Sequence, residues 1–261
     1  MADDTFNVLT ETRYGPMLAN RHDIYVGGSL LAYGEFSAGE TELFDSLIKS
    51  GMAVVNVGAN IGAHAIRQAQ LCAPGPCYAF EPQRLAFQLL VANAALNSLA
   101  NVYAVNVAVG DQAGFTHVAQ LDPRVRQNVG GLEMQGAPAE GTQPVPVCRL
   151  DELALPRVDF LMIDAEGMES AVLEGARETI ARDLPILYVE ADRQAQRPGL
   201  LALLTEIGYA AYWHTPPLYR PDNYRAYSVD LFPNVVSLNW LCVPEERTIH
   251  ESWVRVTEAN L

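Results

Sequence analysis

Short apolar runs alternate with stretches of helical period along most of this chain. Residues 53–57 (AVVNV), 78–80 (YAF), 102–107 (VYAVNV), 158–164 (VDFLMID) and 185–190 (PILYVE) read as strands. Between and around them, 63–71, 85–97, 170–182 and 199–207 carry apolar residues at helical spacing. Upstream, TELFDSLIKSG places Leu43, Phe44, Leu47 and Ile48 on one helix face, and Gly51 stops it. Strands near 210–213 and over 237–243 close the pattern. Residues 1–50 read as a cap, with a hairpin near 14–26, and 51–261 as one compact unit. Strands that alternate with helices predict a mostly parallel sheet covered on both faces, with ligands at the carboxyl ends of its strands. Two stretches escape the pattern, 119–146 and 215–233; loops of that length are often functional.

The stretch VVNVGANIG (54–62) joins a buried strand to a helix through a turn marked by Gly58, Asn60 and Gly62. Glycine lets a backbone approach a ligand closely. Dinucleotide loops place glycine at the third position, against the pyrophosphate. Asn60 stands there, and Ala63 stands at the sixth position. The loop therefore suits an adenosine ligand without a pyrophosphate, such as S-adenosylmethionine (SAM), and disfavours a dehydrogenase. Glu81 ends the second strand, 23 positions after Gly58, where a carboxylate accepts from ribose hydroxyls. After the third strand, 107–111 would lie beside the adenine, with Val109 in the wall and Asp111 accepting from the exocyclic amine.

Acids gather where the fourth and fifth strands end: Asp164, Glu166 and Glu169, then Glu190 and Asp192. Carboxylates so placed suit a hard divalent cation such as magnesium, with Asp164, Glu190 and Asp192 as its ligands. They also suit a general base whose pKa is raised by its like-charged neighbours. Helix capping is the third reading, assigned to Glu169. Asp164 and Glu190 are the catalytic candidates. Of the histidines, 22, 64, 117, 214 and 250, His214 stands out, because it ends a strand at the start of the loop YRPDNY. In that region Trp213, Tyr219, Tyr224 and Asn223 either bind a sugar ring or only pack the loop.

The formal net charge is −14, with no Lys/Arg cluster, which argues against nucleic acid as a partner. Four cysteines without a second CxxC-type pair read as free thiols of a reducing compartment. The acidic N-terminus is no signal peptide and no apolar run spans a bilayer, so a cytoplasmic location is expected.

VVNVGANIG, YAFEPQ, LNSLANV, VAVGD, RLDEL, IDAEGMESAVLEGA and LYVEADR occur in one order over roughly 31–244, preceded by LAYGEFSAGE. This ordered set resembles the FkbM-like SAM-dependent methyltransferases. The resemblance implies a class I methyltransferase (Rossmann-like) fold of seven strands with the last antiparallel. It implies methyl transfer to an oxygen of a sugar, glycan or natural-product acceptor. It implies that Asn56, Gly58, Asn60, Gly62, Glu81, Pro82, Val109, Asp111 and Asp164 hold the cofactor. It also implies that Asn128, Gly130 and Gly131 form a lid over the substrate. The family usually has Asp where this chain has Asn56, so a salt bridge to the methionine amine is lost. An N-methyltransferase with the same cofactor site, and a SAM-binding module without catalysis, are the alternatives.

Overall fold

The computed structural model describes residues 5–131, 138–247 and 250–261. Its centre is β3 (Val54–Val57), buried at every position. A parallel strand covered on both faces needs such a continuous apolar run. To one side lie β4 (Cys77–Phe80) and β5 (Val102–Val105), and to the other β9 (Phe160–Ile163) and β10 (Ile186–Glu190). Beyond β10 come β12 (Asn239–Pro244) and β11 (Tyr209–His214). The order is β11-β12-β10-β9-β3-β4-β5, and β12 runs antiparallel to both its neighbours. From β3 the chain first winds outward through β4 to β5, then returns to β9 on the opposite side. The strand order therefore reverses between β3 and β9, and a crevice opens at their carboxyl ends. This is the seven-stranded, mostly parallel sheet that the sequence pattern and the resemblance imply.

Helices α3 (Ala65–Cys72), α4 (Arg84–Leu96) and α7 (Arg197–Glu206) join the strands. Gln83 caps α4, its side chain accepting from the amides of Leu85 and Ala86. The expected helix over 170–182 is two, α5 (Glu169–Glu174) and α6 (Arg177–Asp183). The break falls at Gly175, where a Cβ would stand 2.0 Å from the carbonyl oxygen of Gly110.

The N-terminal segment departs from expectation. Its hairpin pairs β1 (Asn7–Thr12) with β2 (Gly15–Asn20), earlier than 14–26, and α1 (Val26–Tyr33) follows before α2 (Ala38–Leu47). Asn93 of α4 locks it on: Oδ1 accepts from the amide of Leu18 at 2.6 Å, and Nδ2 donates to the carbonyls of Leu18 and Ile61. The middle stretch also differs. The third strand ends at Val105, and β6 (Ala108–Val109), β7 (Gly114–Ala119) and β8 (Thr142–Cys148) form a second, three-stranded sheet. Pro144 and Pro146 hid β8 from the sequence pattern, since proline argues against a strand; both occupy exposed positions. Of the loop between β7 and β8, residues 132–137 lie outside the described residues.

Candidate functional site

A cleft of about 440 Å³ opens at the carboxyl ends of β3 and β9. Gly58 and Asn60 begin the turn that forms its floor. Gly58 has φ +82°, and a Cβ on it would stand 1.7 Å from the carbonyl oxygen of Asp164. Only glycine fits there, so the loop seats directly on the end of β9. Asn60 holds φ +51°, a left-handed conformation that asparagine tolerates. Gly62, at φ +90°, ends the turn.

Glu81 is buried and fastens this loop. Its carboxylate accepts from the amides of Asn60 and Gln83, each at 2.7 Å. Burial pushes the carboxyl up to about 7, against the pull of those two amides. Pro82 and Val109 line the cleft beside it, with Val107 and Ala108 continuing an apolar wall. Asp111 does not join them. The third strand stops early and Asp111 falls in the bend between β6 and β7, where it is exposed and away from the cleft.

Asn56 is 1% exposed and projects from β3 toward α3. Its Nδ2 donates to Gln68 Oε1 at 2.8 Å, while its Oδ1 is buried without a hydrogen-bond partner. Asp164 and Glu190 face each other where β9 and β10 end. Burial, then repulsion from Glu166, pushes the Asp164 carboxyl up, and burial, then repulsion from Asp164, pushes Glu190 up, so the pair retains a proton at neutral pH. Glu166 joins them: oxygens of Asp164, Glu166 and Glu190 lie within 4.8 Å of one another. Arg193 closes the cluster, 2.8 Å from Glu166 and 3.6 Å from Glu190. Asp192, a metal candidate from the sequence, stands outside that trio. Its carboxylate is 47% exposed and pairs with Arg193 at 3.3 Å. Glu169 turns back to accept from the amide of Gly167, at the start of α5.

Asn128, Gly130 and Gly131 line the cleft. A Cβ on Gly130 would meet Asn60 Nδ2 at 2.5 Å, so this segment lies against the glycine turn. It is also tied to the N-terminal segment: Asp23 bridges to Gln127, and Asp23 Oδ1 accepts from the amide of Val129.

The expected substrate residues near β11 lie elsewhere. Trp213 packs edge-on to Trp240 and under Arg197, and donates to Asn260. Tyr219 packs on Tyr33, and buried Asn223 ties its own turn through Arg220 and Tyr227. Trp213 packs at the sheet edge, Tyr219 and Asn223 hold the loop down, and none of the three lines the cleft. His214 is also outside it, packed against Trp253, with Nδ1 2.8 Å from the hydroxyl of Tyr188. Burial lowers its pKa. A strand-end position did not suffice, because β11 lies at the sheet edge, two strands from the acid pair.

Of the wall that replaces them, the sequence singles out His64 alone, among the histidine candidates. Tyr25, Phe36, Glu40, His64 and residues 235–239 line that side. Glu40 accepts from Tyr188, Asn239 and Ser237, and His64 Nε2 lies 3.3 Å away. Burial alone would raise its carboxyl, but His64 and the hydrogen bonds from Ser37 and Tyr188 outweigh it and hold the pKa at about 2. One signal was legible: Glu40 precedes Phe44 by four, so it puts an acid on the apolar face of α2.

The cofactor implied by the resemblance fits these groups. The glycine-shaped turn, the buried carboxylate of Glu81 beside it, the apolar 107–109 wall and the unpartnered Asn56 Oδ1 suit an adenosine with a cationic methionine end.

Comparisons with known proteins agree. The Methyltransferase FkbM domain profile matches residues 56–211. The 2-O-methyltransferase NoeI of Sinorhizobium fredii is 27% identical over 178 residues, 62% of this chain and 72% of that protein. TYW2 of M. jannaschii, solved in complex with AdoMet, superposes with a TM-score of 0.52 at 13% identity, over 93% of this chain and 87% of that one. The methyltransferase FkbM from Methylobacillus flagellatus gives 0.48 at 16% identity, over 77% of this chain, which spans half the length of that protein. With the family profile across more than half its length and the class I fold beneath it, the chain belongs to the FkbM methyltransferase family and is a SAM-dependent methyltransferase.

Proposed function

We propose that the chain moves the methyl group of SAM to a hydroxyl oxygen of a sugar, glycan or natural product. One observation carries this reading: the proton-holding pair Asp164 and Glu190 at the ligand edge of the sheet. A bound SAM supplies a methyl group on a positive sulfonium, ready for in-line transfer. An alcohol attacks poorly while it keeps its proton, so the protein must align it and take that proton up. A carboxylate whose proton affinity is raised far above the ordinary range does this better than a surface acid. Arg193 steadies the charge that remains on Glu166 and Glu190. NoeI, named a 2-O-methyltransferase, supports oxygen as the acceptor atom.

Glu81 would accept from the ribose, the turn from Gly58 to Gly62 would receive the nucleoside, and Asn56 Oδ1 would accept from the methionine amine. Asn128, Gly130 and Gly131 would cover the acceptor. Asp164, Glu166 and Glu190 form the oxygen set that magnesium takes, but Arg193 already brings a positive charge to it, which favours the base reading. Transfer to nitrogen needs no strong base, so the acid pair favours oxygen over it.

The test is transfer of labelled methyl from SAM to a panel of sugar-bearing acceptors, with magnesium or with excess chelator. Activity is expected to survive the chelator. Asp164→Asn is expected to lower kcat by about 10²–10⁴-fold, the usual contribution of a positioned base, while SAM still binds. Full activity in that variant would overturn the assignment of the base, and transfer only to amines would overturn the oxygen reading.

A further inference from the structure

The cleft is lopsided in charge. Glu40, Asp164, Glu166, Glu190 and Asp192 border its inner end, with Glu81 at the glycine turn. Among its described lining residues Arg193 is the one arginine or lysine, and it is engaged with Glu166, Asp192 and Glu190. The charge on Glu40 is fixed by donors from Tyr188, Asn239 and Ser237. Asn56 Oδ1, buried without a donor, is taken by the methionine amine in the functional reading above, which leaves Glu190 Oε2, buried with no hydrogen-bond donor and 3.6 Å from Arg193. The site thus keeps a buried acceptor at Glu190 and more acidic groups than cations, with Glu40, Glu166 and Asp192 outside the proton-holding pair. Apart from the Glu40–His64 pair, the wall that carries them is uncharged, built from Tyr25, Phe36, Val235, Val236 and Leu238.

We propose that the acceptor is uncharged or cationic, a neutral or amino sugar ring that lies against Tyr25 and Phe36, and that the cleft rejects phosphorylated, carboxylated or nucleotide-linked acceptors. An anionic acceptor would bring like charge beside Glu40, Glu166 and Asp192 without a free cation to receive it. Such juxtapositions select against wrong partners. An amino or hydroxyl group supplies the donor that Glu190 Oε2 lacks. This inference rests on methyl transfer to a sugar-type hydroxyl.

The test uses the full chain saturated with S-adenosylhomocysteine. Methyl glucoside, glucosamine, glucuronate, glucose 6-phosphate and UDP-glucose are compared by saturation-transfer NMR and by competition against one another, at low and high salt. Glucosamine and methyl glucoside are expected to bind, with glucosamine weakened by salt, and the three anions to bind at least about tenfold more weakly than methyl glucoside at low salt. An anion that competes as well as methyl glucoside at low salt, or is methylated faster than it, overturns the inference. The binding order is read without turnover. A failure of hydroxyl methylation would therefore strike the functional reading alone, and a reversed order this one alone.

Discussion

Asn56 has one half of its amide committed and the other half free. Nδ2 is held by Gln68, and Oδ1 awaits a donor. Replacing it with Asp restores the charge that the family usually has there. Charged hydrogen bonds exceed neutral ones by on the order of 1 kcal/mol, so Asn56→Asp is expected to tighten SAM about fivefold by calorimetry. The same change buries a carboxylate, so the ligand-free melting temperature is expected to fall; unchanged affinity would remove Asn56 from the methionine end. Glu81 titrates where it can be observed. Its carboxyl is held near 7 by burial, so it is largely protonated in mildly acidic solution and ionised above neutrality. An ionised group accepts better from ribose, so affinity for S-adenosylhomocysteine is expected to rise from about pH 6 to about pH 8. Glu81→Gln is expected to flatten that slope. Glu40 works in the opposite sense. With its folded pKa near 2, below the ordinary 4.5, it adds stability that is present above about pH 4.5 and is lost as the pH falls toward 2. Glu40→Gln is expected to cost about 3 kcal/mol in urea unfolding at neutral pH, with the gap to wild type closing in acid. The carboxylates at strand ends were legible in the sequence because position along a parallel strand fixes which end faces the ligand. Glu40 was not, because its role depends on which surface α2 covers.

At the scale of elements, the turn after β3 and the end of β9 are one unit. The amide of Asp164 donates to Val57, and the space for a Cβ at Gly58 is filled by the Asp164 carbonyl. Gly58→Ala combines that overlap with a left-handed φ, so a loss above about 3 kcal/mol is expected, with SAM binding lost even where the chain still folds at low temperature. Strands 53–57, 78–80, 158–164 and 185–190 were readable from the apolar pattern because burial on both faces leaves no other option. The second sheet was not, since its prolines and its split between distant segments mask the period. The aromatic residues around Trp213 and Tyr219 matched a sugar platform in composition, yet their rings found partners within the fold. Composition alone could not separate those outcomes, because both bury the same ring faces.

Over the whole molecule, the cleft is shared between segments far apart in sequence. The N-terminal segment supplies Tyr25, Phe36 and Glu40, so it completes the site and is more than a cover. Asn93→Ala removes three hydrogen bonds between α4, β2 and the glycine turn, one of them fully buried. It is expected to cost about 2–3 kcal/mol and to raise hydrogen exchange first in β1 and β2. Among the described residues no helix is long and apolar enough to cross a membrane. One further property follows from the register of the antiparallel strand. Glu190 pairs with Asn239, and Asn239 pairs with His214, so a single cross-strand row ties the acid pair to both ends of the 215–238 segment. Ladder hydrogen bonds anchor that row, whatever the length of chain between its ends. Residues 219–232 of the segment pack on Tyr25 and Tyr33 while 235–238 reach the cleft, so substitutions confined to 235–238 should alter which molecule is methylated while the nucleoside half of the cleft stays as it is.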